Sequence, residues 1–315
     1  MTHRIRKLAA VALATAACGT ASAADLPSLN LGFTSFLDGL PPAGSGWYAT
    51  QYLEYYSASR INDNAGNRVA LPWQSVDVFA GLSQLVYQAP VKVGGFHPGL
   101  DVIVPWVAAA HTDDGLNNMA LNGRAGFGDL VIGPFLQSDP LMGASGPRFA
   151  QRVELQFIVP TGAYDPSRAI NPGSHFWSFD PYWAATVWLT PKWTFSWRLH
   201  YLWNSSNHEP ATALGPDVTS TQAGQAVHAN FATEYELRPG LRIGLNGYWL
   251  RQITDMKANG QDVSGTREGV WAIGPGAMVS FSPQDHLMFN AYFERDARNR
   301  PQGTRAILRY VHHFD

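Results

Sequence analysis

The side chains best equipped for chemistry are ten histidines and a set of arginines and carboxylates in alternating positions. They raise three kinds of chemistry: a metal held by histidines, hydrolysis by a serine beside a histidine, and fixed charge along a passage. Protein metal sites gather Cys, His and carboxylates into one compact set. Cys18 is the only cysteine, and His200 and His228 have no compact acidic cluster beside them in the sequence, so no metal and no cofactor is expected. A hydrolytic pair needs a serine within reach of its base. His228-Ala229-Asn230 lacks a serine two residues on, and Ser205-Ser206-Asn207-His208 falls in a polar stretch. Fixed charge remains: Arg152, Glu154, Arg198, His200, His228, Glu234, Glu236, Arg242, Glu294, Arg305 and Arg309. What these do depends on the surface they share.

The elements that must position them are strands. In 192–204, KWTFSWRLHYLWN, period two puts Trp193, Phe195, Trp197, Leu199, Tyr201 and Trp203 on one face and Arg198 and His200 on the other. A soluble core favours Val, Ile and Leu, and a ladder of Trp with Phe and Tyr packs poorly at interior density. Trp193 and Trp203 would stand about 23 Å apart along the axis of a strand tilted by about 45°, close to the apolar band of an outer-membrane barrel. They read as aromatic girdle residues, as does Trp249. The other reading of this stretch alone is the edge strand of a soluble sandwich.

Further along, Val153, Leu155, Phe157 and Val159 oppose Arg152, Glu154 and Gln156; two ionic groups facing lipid would cost several kcal/mol, so the charged face is the lumen. The same alternation sets Val227, Ala229, Phe231 and Tyr235 against His228, Asn230, Glu234 and Glu236. It sets Ile243, Leu245 and Trp249 against Arg242, and Leu308 and Tyr310 against Arg305 and Arg309. Strands are expected near 47–57, 73–87, 100–109, 126–137, 149–159, 177–189, 192–204, 225–237, 241–252, 270–281, 286–294 and 305–314. That makes about twelve, an even number, as closure with both termini on one side requires. Tight turns at Thr190-Pro191-Lys192, Arg238-Pro239-Gly240 and Ser282-Pro283-Gln284-Asp285 alternate with polar loops near 205–224 and 254–268. The fold class expected is all-β, a single antiparallel up-and-down transmembrane barrel over 46–315.

Composition agrees: charged residues are 15% and aromatic residues 12%, with Gly 30 and Trp 11. A net charge of −2 offers no ground for nucleic acid as a partner. Residues 1–23 read as a secretory leader, with Arg4, Arg6 and Lys7 as a basic head, an apolar stretch over 8–17, and Ala21-Ser22-Ala23 before the cleavage point. Between leader and barrel, 24–45 shows neither period and carries Pro41-Pro42 and Gly44-Ser45-Gly46. Its apolar residues, among them Phe33 and Phe36, need burial. We expect it to enter the lumen from the periplasmic side, with Asp38 meeting an arginine there; the competing reading is a free periplasmic tail.

Three segments carry a likeness: NLGFTSFLDGLPPAGSGWY at 30–48, GFGDLVIGPF at 126–135 and VPTGAYD at 159–165. Together they resemble the exported family known as meta-pathway phenol degradation proteins, found beside aromatic-degradation genes. The resemblance implies an outer-membrane channel for hydrophobic or aromatic compounds of the phenol and alkylbenzene type. On that reading the partners are outer-membrane lipid, a small aromatic solute and, during biogenesis, the barrel-assembly machinery. Mixed signs on neighbouring strands predict cross-wall ion pairs in place of a selective ring. Interior Tyr residues of the first strand, with Trp271 or Tyr292 depending on register, would offer stacking surfaces. An outer-membrane lipid hydrolase and a structural or adhesive barrel are the alternatives.

Overall fold

A computed structural model describes residues 26–41, 43–118, 121, 123–168 and 170–314. The leader expected over 1–23 lies outside them. Twelve antiparallel strands form the wall: β1 (Gly46–Ile61), β2 (Ser75–Gln88), β3 (Phe96–Asp113), β4 (Gly126–Phe127 and Leu130–Ser138), β5 (Gly146–Glu154 and Phe157–Val159) and β6 (Ser178–Phe179 and Tyr182–Thr190). The rest are β7 (Trp193–Asn204), β8 (Ala226–Arg238), β9 (Leu241–Gln252), β10 (Gly269–Ser280), β11 (Asp285–Arg298) and β12 (Pro301–Phe314). Each pairs with its chain neighbours, and β1 pairs with β12 from Trp47↔Phe314 to Ile61↔Pro301, which closes the sheet into a barrel. No helix among the described residues is long and apolar enough to cross a membrane.

The wall is inside out relative to a soluble protein. On β7 the outward residues Trp193, Phe195, Leu199, Tyr201 and Trp203 are exposed, whereas Thr194, Ser196, Arg198, His200 and Asn204 are buried. Trp193, Trp203 and Trp249 all face out, at 48%, 40% and 40% exposure. Polar groups point inward, where they meet their own partners, and apolar rows face outward, the reverse of the arrangement in a soluble barrel. Register settles one alternative: Tyr292 is fully buried and Trp271 is exposed on the outer face, so Tyr292 alone could serve the interior. On the same even-numbered face of β10, Ala272 and Met278 point inward.

Connections follow the expected alternation with one exception. Pro239 and Gly240 join β8 to β9, and Gly240 has φ +78°, the left-handed position that a type II turn reserves for glycine. On the other rim the loops are long, and two of them contribute a small sheet of Thr221–Gln222, Met256–Ala258 and Gln261–Val263. Only β11 and β12 meet there through the two residues Asn299 and Arg300. Both strands run 14 residues, longer than the band requires, so they carry the hairpin past the rim before turning.

Candidate functional site

The inner wall is charged and largely self-neutralised. Arg305 meets Glu54 at 2.8 Å, Arg242 meets Glu236 at 2.7 Å, and Arg152 stands 4.0 Å from Glu154 while its Nε donates to Gln137 Oε1 at 3.0 Å. Glu294 needs no cation in direct contact: it accepts from the hydroxyls of Tyr56 at 2.8 Å and Tyr248 at 2.7 Å and from the Gly303 amide at 2.8 Å. Arg242–Glu236 is a cross-strand register pair and Arg305–Glu54 a diagonal one, whereas Arg152 and Glu154 stand two apart on β5; all share one face of a pleated sheet, the geometry that alternation dictates. Arg309 is also on this face, between Tyr52 of β1 and Met288 of β11.

His200 and His228 are register partners on β7 and β8, stacked with ring centroids 4.1 Å apart. The sequence reading left them without an acidic companion; the structure supplies one. Asp180 is buried between them, accepting from His200 Nδ1 at 3.0 Å and His228 Nε2 at 3.1 Å. The signal was available, since Asp180 shares the even-numbered inward face of β6 with Tyr182, and Tyr182 is paired with His200. The proximity was obscured because Pro181 interrupts the strand there. The three residues could supply metal ligands, their ligand atoms lying within 4.8 Å of one another. A metal would turn the remaining ring nitrogens, His200 Nε2 and His228 Nδ1, into N–H donors, and metal-bound imidazoles need an acceptor for that proton. Both nitrogens are buried with no hydrogen-bond partner among the described residues. With each ring donating to Asp180 they carry only lone pairs, so the arrangement fits a carboxylate clamped by two imidazoles better than a metal centre.

Residues 26–41 run along the inside and are bonded to strands around the ring. The Gly32 amide donates to Asn230 Oδ1 at 2.8 Å, and the Gly32 carbonyl accepts from Tyr292 at 2.7 Å. The Leu37 amide donates to Glu234 at 3.2 Å and the Gly39 amide to Thr186 at 2.9 Å, while the Gly39 carbonyl accepts from Gln137 at 2.8 Å. Arg305 also donates to the Leu31 carbonyl at 3.1 Å. Asp38 takes a two-pronged bond from Arg198, Nε at 2.8 Å and Nη2 at 2.7 Å, and the same guanidinium lies 3.9 Å above the Tyr182 ring. Phe33 meets Tyr52 edge-on at 5.7 Å, and Phe36 is buried with Ala232, Met278 and Met288.

Backbone groups of a segment without its own secondary structure must find partners elsewhere, and here the wall provides them. Sequence reasoning named Phe33, Phe36 and Asp38 in the segment and placed Asn230 and Tyr292 among candidate interior residues, but it did not give Asn230, Thr186, Gln137 or Tyr292 as the partners that hold the segment. Polar side chains that satisfy a distant backbone carry no local signature. Gly39 is the tightest point: a Cβ there would come within 2.4 Å of the Thr186 amide and 2.5 Å of the Ala150 carbonyl.

Alongside this segment a cavity of about 1730 Å³ runs through the barrel, lined by Leu29, Phe33, Tyr52, Leu82, Ile103 and Met288 among others, with charged members that include Asp38, Glu54, Asp101, Arg198, Arg305 and Arg309. It can hold a small, largely apolar molecule. Ser280 Oγ lies 2.8 Å from His286 Nδ1, its register partner on β11, and His286 Nε2 meets the Pro283 carbonyl at 3.1 Å, which ties the turn at that hairpin.

Among solved structures, the COG4313 outer membrane channel from Pseudomonas putida F1 is similar with a TM-score of 0.76 at 18% identity, over 91% of this chain and 100% of that one. At that identity the likeness establishes the fold. The toluene transporter TbuX of Ralstonia pickettii aligns with a TM-score of 0.40 at 9% identity, over 90% of this chain and 96% of that one, and no argument rests on it. No curated protein matches the chain. The family model described as "Putative MetA-pathway of phenol degradation" matches residues 58–310, and the chain belongs to that family.

Proposed function

We propose that this protein resides in the outer membrane and passes small hydrophobic or aromatic solutes, of the phenol and alkylbenzene type, toward the periplasm. The observation that carries the reading is the cavity of about 1730 Å³ beside residues 26–41, with aromatic and aliphatic side chains along much of its wall. A porin for ions would show one sign of charge, whereas here arginines and carboxylates neutralise each other along the inner wall. The family match and the barrel fold support a channel, and the family's association with phenol degradation supports the solute class. Residues 26–41 act as a partial plug that narrows the bore and keeps water and ions from passing freely. The exposed apolar band is the lipid contact, and insertion uses the barrel-assembly machinery after export behind the leader.

Liposome swelling and planar-bilayer conductance, with and without residues 24–45, test the reading. Removing the segment should raise conductance, and the intact protein should admit phenol or toluene faster than a sugar of similar size. Equal conductance of the two forms would remove the plug, and equal entry of phenol and sugar would remove the solute class.

A further inference from the structure

The deeper inference concerns which hydrophobic solutes the bore favours, and it rests on the reading of the bore as a solute pathway. The inward-facing arginines of the strands fall into two groups. Arg198 is matched by Asp38 at 2.7 Å, Arg242 by Glu236 at 2.7 Å, Arg305 by Glu54 at 2.8 Å, and Arg152 has Glu154 at 4.0 Å. Arg309 forms no ion pair among the described residues. Its register partners are Tyr52 and Met288, both neutral, and its neighbours on the same face of β12 are Ile307 and Val311. The next inward carboxylate on β1, Glu54, is already held by Arg305. On β11 the flanking inward residues are His286, bonded to Ser280 and Pro283, and Asn290, bonded to Ser35.

Arg309 therefore has weak company for a full charge. Its guanidinium lies 5.3 Å from the Tyr52 ring centre, one nitrogen stands 3.9 Å from Met288 Sδ, and its Nε is buried without a partner. A ring face and a thioether offer little to an ion, and the buried Nε is a donor left unpaired. The same side chain lines the cavity, beside Phe33, Tyr52, Met278, Met288 and Val311. A planar fork of N–H donors at the edge of an apolar surface fits a carboxylate attached to a hydrocarbon body.

We propose that Arg309 and Tyr52 form an anion subsite in the bore that takes the carboxylate of an amphiphilic acid, whose aromatic or aliphatic part lies on Met278, Met288 and Phe33. The guanidinium fork binds the two carboxylate oxygens, and the Tyr52 ring holds the fork from behind.

The test is equilibrium dialysis of the full-length protein in detergent against 4-propylbenzoate and its neutral counterpart 4-propylbenzamide, for the wild type, Arg309→Met and Arg309→Lys. Heat-modifiable migration of each variant reports whether the barrel has formed. The wild type should bind the benzoate at least tenfold more tightly than the benzamide. Arg309→Met should lose at least tenfold for the benzoate and stay within twofold for the benzamide, and Arg309→Lys, which keeps the charge but not the fork, should fall between. Equal wild-type affinity for acid and amide overturns the subsite and leaves the solute pathway standing. Equal weakening of both probes by Arg309→Met also overturns it, because that marks a structural residue. Should the wild type bind neither probe, the pathway itself falls and the subsite with it. The acid-to-amide comparison in the wild type keeps the proposal falsifiable if Arg309→Met does not fold.

Discussion

Asp38→Ala should loosen residues 26–41 and leave the barrel itself standing. Asp38 and Arg198 are both buried, with side-chain exposures of 4% and 8%, and their two-pronged contact is the strongest single tie between the segment and the wall. Removing one partner of a buried pair leaves the other charge uncompensated and costs about 3–5 kcal/mol. The lower figure is appropriate, since Arg198 keeps the Tyr182 ring at 3.9 Å. The penalty falls on the docked state alone, because water reaches Arg198 once the segment leaves. About 3 kcal/mol is roughly two decades in an equilibrium constant. An undocked state populated at about 0.1% in the wild type would rise to roughly 10%. In planar bilayers this should appear as frequent transitions to a higher conductance level that are rare in the wild type. Adding Arg198→Met to Asp38→Ala removes the stranded charge and should recover most of the quiet behaviour, giving a coupling between the two positions well above the error of either single variant. Identical gating of Asp38→Ala and the wild type would refute the assignment of this contact as the clasp of the segment.

Three further outcomes follow from the same geometry. Gly39→Ala should act in the same direction as Asp38→Ala, because the new methyl meets the backbone of Thr186 and Ala150, and its effect should be read as loss of protection of the Gly39 amide in hydrogen exchange. Leu199→Arg, at an exposed position midway between Trp193 and Trp203 on β7, should lower the free energy of folding into vesicles by about 2–4 kcal/mol, measured by urea titration. At the turns near 89–95 and 139–140, the hydrogen bond from Lys92, joined by His97 at 3.0 Å, holds the Asp139 carboxyl below its ordinary value of 3.8. A lowered carboxyl stabilises the folded state above that value and loses its contribution as pH falls through the folded one. The Asp139 carboxyl carbon should therefore titrate below pH 3.8 in the folded protein, and Asp139→Asn should abolish that part of the acid sensitivity.

The wall was legible because its information is local. Period two alone separates Trp193, Phe195 and Leu199 from Arg198 and His200, and the ionic row marks the inner face, so strand positions and facing follow from the residues themselves. Strand ends were less legible: β3 runs over Phe96–Asp113, well beyond the apolar 100–109, because the backbone ladder continues past the apolar stretch with His97 and Asp113 at its ends. The interior was legible only in part. A dislocation at Pro181 hid the proximity of Asp180 to two histidines, and the bonds from residues 26–41 join positions such as Gly32 and Asn230, 198 residues apart. Contacts at such separation depend on the closed shape and leave no spacing to read.

Residues 26–41 continue through Gly44 and Ser45 into β1, the strand whose edge meets β12 to complete the ring. The occupant of the bore is thus attached to the hinge post of its own door. Pairing of the first and last strands encloses the segment within the wall to which it is bonded. A chain whose ends meet before the segment has turned inward would have to thread it through an open end of the barrel, a slow search across long sequence separations.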